Sequence, residues 1–353
     1  DVNITRTIGW FTSQYPLVID VTKADDIGYY IKSVKEDIRK IPNKGIGYGI
    51  LKYITPKEYK NELEFKLNPQ ISFNYLGQFD KDVNQDLFGI SEISCGASIS
   101  EESEQLYEIN INGMIINDEL QMNFAYNKEQ YNSDTIEKLA NDYEKMLLKV
   151  IDHCIKKEES EMTPSDYGYG ELSIEGLEYI KSTLDINNKV KIQKIYSLSP
   201  MQEGMLLYAL LNQDKHKRTY FEQQSLRISG RFDVKIYEES INKIFERYDV
   251  LRTIFVNSNI PVQIVLKENN IKIHFEDISH LTEDEKEQFT KAFKEKDIES
   301  GFDLSKKVPI RFSVLKIREE EYIIIQSFHH ILLDGWSTPI LSNEIFETYY
   351  SIK

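Results

Sequence analysis

The chain has 353 residues, 41% hydrophobic and 29% charged, with 43 Lys and Arg against 58 Asp and Glu. That length allows two domains with sizeable cores, and a formal net charge of -15 argues against nucleic acid and anionic membrane surfaces as partners. No apolar run reaches membrane-spanning length and no signal-peptide pattern opens the chain. Its two cysteines, Cys95 and Cys154, lack metal-ligand spacing, so a reduced, cytoplasmic setting is expected.

Asp1-Val2-Asn3 lacks a Met and runs at once into a motif, so the chain is expected to be an excerpt of a longer protein. Thr5 to Pro16 is an aromatic segment broken by Gly9, which predicts a strand leading into a loop. Asp25 or Asp26 can cap a helix through about Arg39, with Ile27, Tyr30, Ile31, Val34 and Ile38 on one face. Gly45, Gly47 and Gly49 follow at alternate positions. No strand precedes them and no Gly-Lys-Ser/Thr follows, so a glycine turn is expected rather than a phosphate loop. Ile71 to Phe79 reads as a strand ending at Gly77, and Leu106 to Tyr126 as a hairpin turning at Asn117-Asp118. Ser133 is expected to cap a helix over 134–156 that buries Ile136, Leu139, Tyr143, Leu147 and Val150; His153 at its end reads as structural.

Lys156 to Glu161 breaks the apolar periodicity and marks a solvated linker. A short amphipathic helix carrying Leu172, Ile174, Leu177 and Ile180 comes next. Ser199 and Pro200 then open a helix with Met201, Met205, Leu206 and Leu210 on its apolar face. A strand at Gln224–Ile228 and a helix over 234–247 lead to Arg252, and 283–299 reads as a charged helix without chemistry. Strands over 308–317 and 322–328 end at Phe328-His329-His330-Ile331-Leu332-Leu333-Asp334-Gly335-Trp336-Ser337, and Ser337 is placed to cap a helix bearing Ile340, Leu341, Ile345 and Phe346. Two histidines thus stand where a buried strand becomes a loop, a common position for chemistry on a rigid support. A metal site at His329, His330 and Asp334 is not expected, because adjacent residues at a strand end point in opposite directions.

The H-H-x-x-x-D-G pattern from His329 to Gly335 resembles the signature of the condensation superfamily of nonribosomal peptide synthetases, which includes epimerisation domains. It is similar, more distantly, to the histidine site of chloramphenicol acetyltransferase. Arg6-Thr7-Ile8-Gly9-Trp10-Phe11-Thr12, Pro42 to Gly49 and Phe73-Asn74-Tyr75-Leu76-Gly77-Gln78 resemble, in order, the last three core motifs of epimerisation domains. Ser199-Pro200-Met201-Gln202-Glu203-Gly204-Met205 resembles the first core motif of condensation domains, in the version that goes with D-configured donors. Arg247 to Phe255 resembles the second core motif, with Tyr248 and Asp249 in place of His and Glu.

The resemblance implies an α/β fold of two chloramphenicol-acetyltransferase-like sandwich lobes joined by a partly helical linker. Residues 1–157 would be the C-terminal lobe of an epimerisation domain, 158–192 a linker, and 193–353 the N-terminal lobe of a condensation domain. Each would hold half of an active site. The helix with Leu172, Ile174, Leu177 and Ile180 resembles a communication-mediating docking helix, and an interdomain linker helix is the other reading. By resemblance His330 orients and deprotonates the acceptor amine while His329 supports the loop. Asp334 holds the loop through an ion pair with Arg252, Gly335 admits the thioester, and Trp336 is a supporting residue. Asn74 and Tyr75 border the epimerisation site, where Tyr75 either donates a proton or packs between lobes. No cofactor is expected on the chain itself. Substrates would arrive on the phosphopantetheine arms of aminoacyl and peptidyl carrier domains, with neighbouring synthetase domains as further partners. A non-catalytic docking module linking consecutive synthetase units is the alternative.

Overall fold

In this computed structural model the structure is described for residues 6–21, 26–60, 63–78, 93, 96, 100, 103–116, 118–184, 191–211, 219–258 and 260–353. Asp25, Phe79, Cys95 and Asn117 lie outside the described residues. The chain divides into two compact units, Asp1–Ser160 and Glu161–Lys353.

In the first unit, helix α1 (Ile27–Arg39) starts where the Asp26 carboxylate accepts from the Tyr29 N–H. The segment before it, expected as a strand, forms none over residues 6–21, and Ile8 and Trp10 are exposed. The glycine block is helical rather than a simple turn. Asn43 and Lys44 are both left-handed, and a short helix α2 (Ile46–Gly49) follows. Gly45 has φ +81°, and a Cβ there would lie 1.9 Å from the Tyr15 ring, so both backbone and packing demand glycine. Strand β1 (Ile71–Gln78) pairs in parallel with β2 (Ile109–Ile116), which pairs antiparallel with β3 (Glu119–Tyr126), in the order β1-β2-β3. Helix α3 (Ser133–Ile155) has Asn132, not Ser133, at its N-cap. His153 near its end lies against Gly28 of α1, within 3.2 Å of the position a Cβ would take.

The second unit begins with a 3-10 turn closed by a Thr163–Asp166 capping box, then α4 (Ile174–Leu184), β4 (Ile192–Ser197) and α5 (Pro200–Leu211). It continues through β5 (Phe221–Ser229), α6 (Val234–Arg247), β6 (Thr253–Val256), β7 (Val262–Leu266), β8 (His274–Asp277), α7 (Glu283–Ser300), β9 (Ile310–Arg318), β10 (Glu321–His329) and α8 (Ser337–Ile352). One sheet has the order β5-β10-β9-β8 and the other β4-β7-β6. β8 and β9 are parallel; the remaining pairs are antiparallel. This is an α/β architecture, the class expected from the sequence.

β10 is covered on both faces, which explains its nearly continuous apolar run. Ile324 and Phe328 enter the main core with Phe245 of α6 and Ile345 of α8, while Ile325 joins Leu315, Ile317 and Ile278 beneath Phe289 and Phe293 of α7. Phe245, at 0% exposure, meets Phe312 with ring centres 6.3 Å apart. Burial of each such ring contributes about 2–3 kcal/mol. The α7 helix, read as merely charged, therefore carries an aromatic inner stripe that its many acidic and basic residues conceal.

Leu172, Leu177 and Ile180 are buried in this same core beside Ile195 and Tyr167, and Ile174 is half-buried. The apolar face assigned to a docking or linker helix is thus taken up within the second unit. A helix whose stripe is covered at home has no such face to offer a partner.

Candidate active site

The His–His pair sits where β10 ends. The His329 N–H donates to the Pro309 carbonyl at 3.0 Å and the His330 N–H to the Tyr220 carbonyl at 2.7 Å, so both neighbouring strands anchor the exit. Beyond this point the chain folds back on itself. The Leu332 N–H donates to the His329 carbonyl at 3.0 Å, and the Ile331 N–H donates to His329 Nδ1 at 3.1 Å. His330 Nδ1 lies 2.8 Å from the Leu333 carbonyl oxygen.

These partners assign the tautomers. A carbonyl oxygen only accepts, so His330 carries its hydrogen on Nδ1, and in the neutral ring Nε2 has the free lone pair. His329 is the reverse: Nδ1 accepts from an amide, so the hydrogen resides on Nε2. His329 is buried, at 6% exposure, and its pKa is pushed down from 6.5 to about 4, first by burial and then by the charge of His330. It is therefore neutral at physiological pH and holds the loop. His330 is half-buried and presents its Nε2 as a base or hydrogen-bond acceptor.

The carboxylate does not act as the sequence suggested. Asp334 Oδ1 accepts from the Ser337 N–H at 2.8 Å and from the Ser337 hydroxyl at 2.6 Å, which tethers the start of α8. Hydrogen bonds from the Ser337 hydroxyl and amide hold its pKa below the usual carboxylate range. Ser337, expected as the cap, is the donor instead.

Arg252 is buried at 5% exposure and its guanidinium is engaged elsewhere. It donates to the carbonyls of Phe245 at 2.9 Å and Leu266 at 2.5 Å, to Gln193 Oε1 at 2.6 Å, and to Asp249 Oδ1 at 2.7 Å. The expected Arg252–Asp334 pair is replaced by this Arg252–Asp249 pair, which joins the end of α6 to β4 and β7. Asp249, one of the two departures from the second core motif, supplies the carboxylate. Trp336 is 86% exposed, so its side chain supports nothing within this unit. A Cβ on Gly335 would meet no atom within 4 Å, so packing in this unit does not require the glycine.

Sequence reasoning missed two contributors. Gln202, in the first core motif, donates from Nε2 to the Ile331 carbonyl at 3.2 Å. Asp297 of α7 accepts from the Ser327 hydroxyl at 2.6 Å, Gln223 Nε2 at 2.9 Å and Arg311 Nε at 2.5 Å, under the last turn of β10. The residues of the motif signalled Gln202; Asp297 gave no signal, one acid among many on a charged helix. A cavity of about 630 Å³, walled by Leu206, Tyr208, Phe255, Asn257 and Phe302, is lined by His329 and not by His330. Among the described residues no three His, Cys, Asp or Glu side chains gather as a metal-binding group. No helix among them is long and apolar enough to cross a membrane.

In the first unit, Asn74 and Tyr75 take opposite faces of β1. Asn74 Nδ2 lies 3.4 Å from Asn112 Oδ1, while the half-exposed Tyr75 ring packs across Gly113, its register partner on β2.

A sheet-borne H-H-x-x-x-D-G loop with one neutral structural His and one presented His can take a proton from an attacking nucleophile. The family model described as the condensation domain matches residues 1–172 and 192–353. The chain belongs to the condensation-domain family of the nonribosomal peptide synthetases. It is 41% identical over 355 residues to a mycosubtilin synthase of Bacillus subtilis, covering 100% of this chain and 13% of that protein. It is 38% identical over 351 residues to bacitracin synthase 3 of Bacillus licheniformis, covering 99% of this chain and 5% of that protein. Among solved structures it is similar to the starter condensation domain of the rhizomide synthetase RzmA, at 19% identity and a TM-score of 0.41, covering 45% of this chain and 39% of that one. The chain thus spans a small fraction of the synthetases it matches.

Proposed function

We propose that the chain is the junction between an epimerisation domain and a condensation domain, carrying the C-terminal lobe of the first and the N-terminal lobe of the second. The parent synthetase inverts a carrier-bound aminoacyl or peptidyl thioester, then condenses this D-configured donor with the acceptor amine in the cytoplasm. Both substrates ride on phosphopantetheine arms of carrier domains. The order of the core motifs and the family match to both halves support this reading.

The observation that carries the condensation chemistry is the presentation of His330. Its Nδ1–H is fixed on the Leu333 carbonyl, which leaves Nε2 as the proton acceptor at a loop anchored to two strands. The acceptor nitrogen attacks the donor thioester carbonyl. A C–N bond forms, the C–S bond breaks, and the amine proton passes to Nε2. An α-amine has a pKa near 8, so roughly a tenth is already unprotonated at neutral pH. Orientation of the amine by His330 is therefore as important as proton removal. Gly335, with open space where a side chain would stand, leaves the backbone free to approach the thioester and to offer its N–H to the developing oxyanion.

The test is condensation between donor-loaded and acceptor-loaded carriers, read by intact mass. It uses the chain, a version extended by the lobe that follows in the parent, and His330→Ala in each. Peptide from the extended version, lost by about 100-fold or more in His330→Ala, is the expected result. Undiminished peptide formation with His330→Ala would sink the catalytic reading and leave a docking module.

A further inference from the structure

Gln202 engages both ends of its side-chain amide at once. Its Oε1 accepts from the Ser199 N–H at 3.0 Å while its backbone N–H donates to the Ser199 hydroxyl at 3.3 Å, which closes a capping box at the start of α5. The partners fix which end is which, since the Ser199 N–H can face only oxygen. Nε2 is left pointing the other way, and it donates to the Ile331 carbonyl at 3.2 Å, across 129 residues of sequence. Ile331 is the residue after His330, inside the short turn that ends at the Leu333 carbonyl holding His330 Nδ1.

The remaining polar contacts of this turn are local or run to the sheet. The Ile331 and Leu332 amides return to His329, the His330 amide goes to Tyr220, and Asp334 is occupied by Ser337. Gln202 ties the turn to an element that is neither its strand nor its following helix. A carboxylate could cap α5 equally well but would face the Ile331 carbonyl with a lone pair. The amide is therefore needed for the second contact, not the first.

We propose that Gln202 is a positioning residue for the condensation reaction: it holds the Ile331 carbonyl and thereby the turn that sets the tautomer and direction of the His330 imidazole. This rests on the reading of His330 as the residue that orients and deprotonates the amine.

Gln202→Glu separates the two contacts, because it keeps the capping oxygen and shape and loses the donor. Long-range proton–nitrogen spectra of the chain labelled with nitrogen-15 histidine distinguish Nδ1–H from Nε2–H rings, and His330→Gln assigns the signal. The expected result is an Nδ1–H ring for His330 in the native chain, a mixed tautomer in Gln202→Glu, and an unchanged Nε2–H ring for His329. Single-turnover condensation in the extended version should then fall about five- to tenfold, with acceptor KM little changed. A His330 spectrum identical in Gln202→Glu overturns the proposal. So does an altered spectrum with full turnover, provided His330→Ala abolishes turnover. If His330→Ala also keeps full turnover, the reading of His330 fails, and the positioning role with it. Gln202→Leu, which removes both contacts, should disturb the His330 ring at least as much as Gln202→Glu does. A native ring in Gln202→Leu would equally overturn the role.

Discussion

Replacing His329 by Asn should make the second unit less sensitive to acid. The folded ring resists protonation, with a pKa of about 4, because it is buried and lies beside His330, whereas the unfolded ring titrates at 6.5. Below 6.5 the unfolded chain takes up a proton that the folded chain refuses. Stability is thus complete above that value, falls as the pH drops, and stops falling once the folded ring protonates near 4. Proton linkage makes the loss about 2 kcal/mol between pH 7 and pH 4.5. Asn cannot titrate, and its side-chain oxygen can still accept the Ile331 N–H. The measure is native-state hydrogen exchange of the β10 amides, corrected for intrinsic rates, at both pH values in both proteins. The native protein should lose about 2 kcal/mol more than the variant across this interval. Equal losses would refute a buried neutral His329, because all other acidic and basic groups are common to the two.

Arg252→Ala should destabilise the second unit by about 3 kcal/mol, since the Phe245 and Leu266 carbonyls lose a buried donor and Asp249 loses its ion pair. A shift in the denaturation midpoint measures this, and Asp334→Ala should not reproduce it, as an Arg252–Asp334 pair would require. Asp334→Ala should instead loosen the first turn of α8, speeding exchange of the Ser337 and Thr338 amides several-fold at pH 7. The folded Asp334 is the stronger acid, so its support of the turn is present above the unfolded carboxylate range and is lost as the pH falls through its own lowered value.

The parts legible in the sequence are those set by local pattern. β10 and α8 can be found because apolar residues recur at strand and helix spacing, and the His pair because it marks their junction. Partner choice is another matter. Arg252 declares its type but not its carboxylate, and Asp249, three residues away and a deviation from the motif, is the nearer solution. Asp334 reads as a buried ion-pair partner, yet a short carboxylate three residues before a helix start is equally a cap. The helix bearing Leu177 shows a stripe, and a stripe says that something covers it without saying what. In α1 to α2, two consecutive left-handed residues, Asn43 and Lys44, hide behind side chains that ordinarily avoid that conformation.

The opposed tautomers of the two histidines set how protons flow. The Nδ1 hydrogen of His330 is committed to the Leu333 carbonyl, and the Nδ1 lone pair of His329 is filled by the Ile331 amide. The two rings therefore form no relay, and neighbouring imidazoles do not make a wire. On the proposed chemistry, a proton that arrives at His330 Nε2 from the amine leaves from that same atom, and the departing thiolate is the natural recipient. Each turnover would then begin and end with a neutral ring, and the site would exchange no net proton with its surroundings.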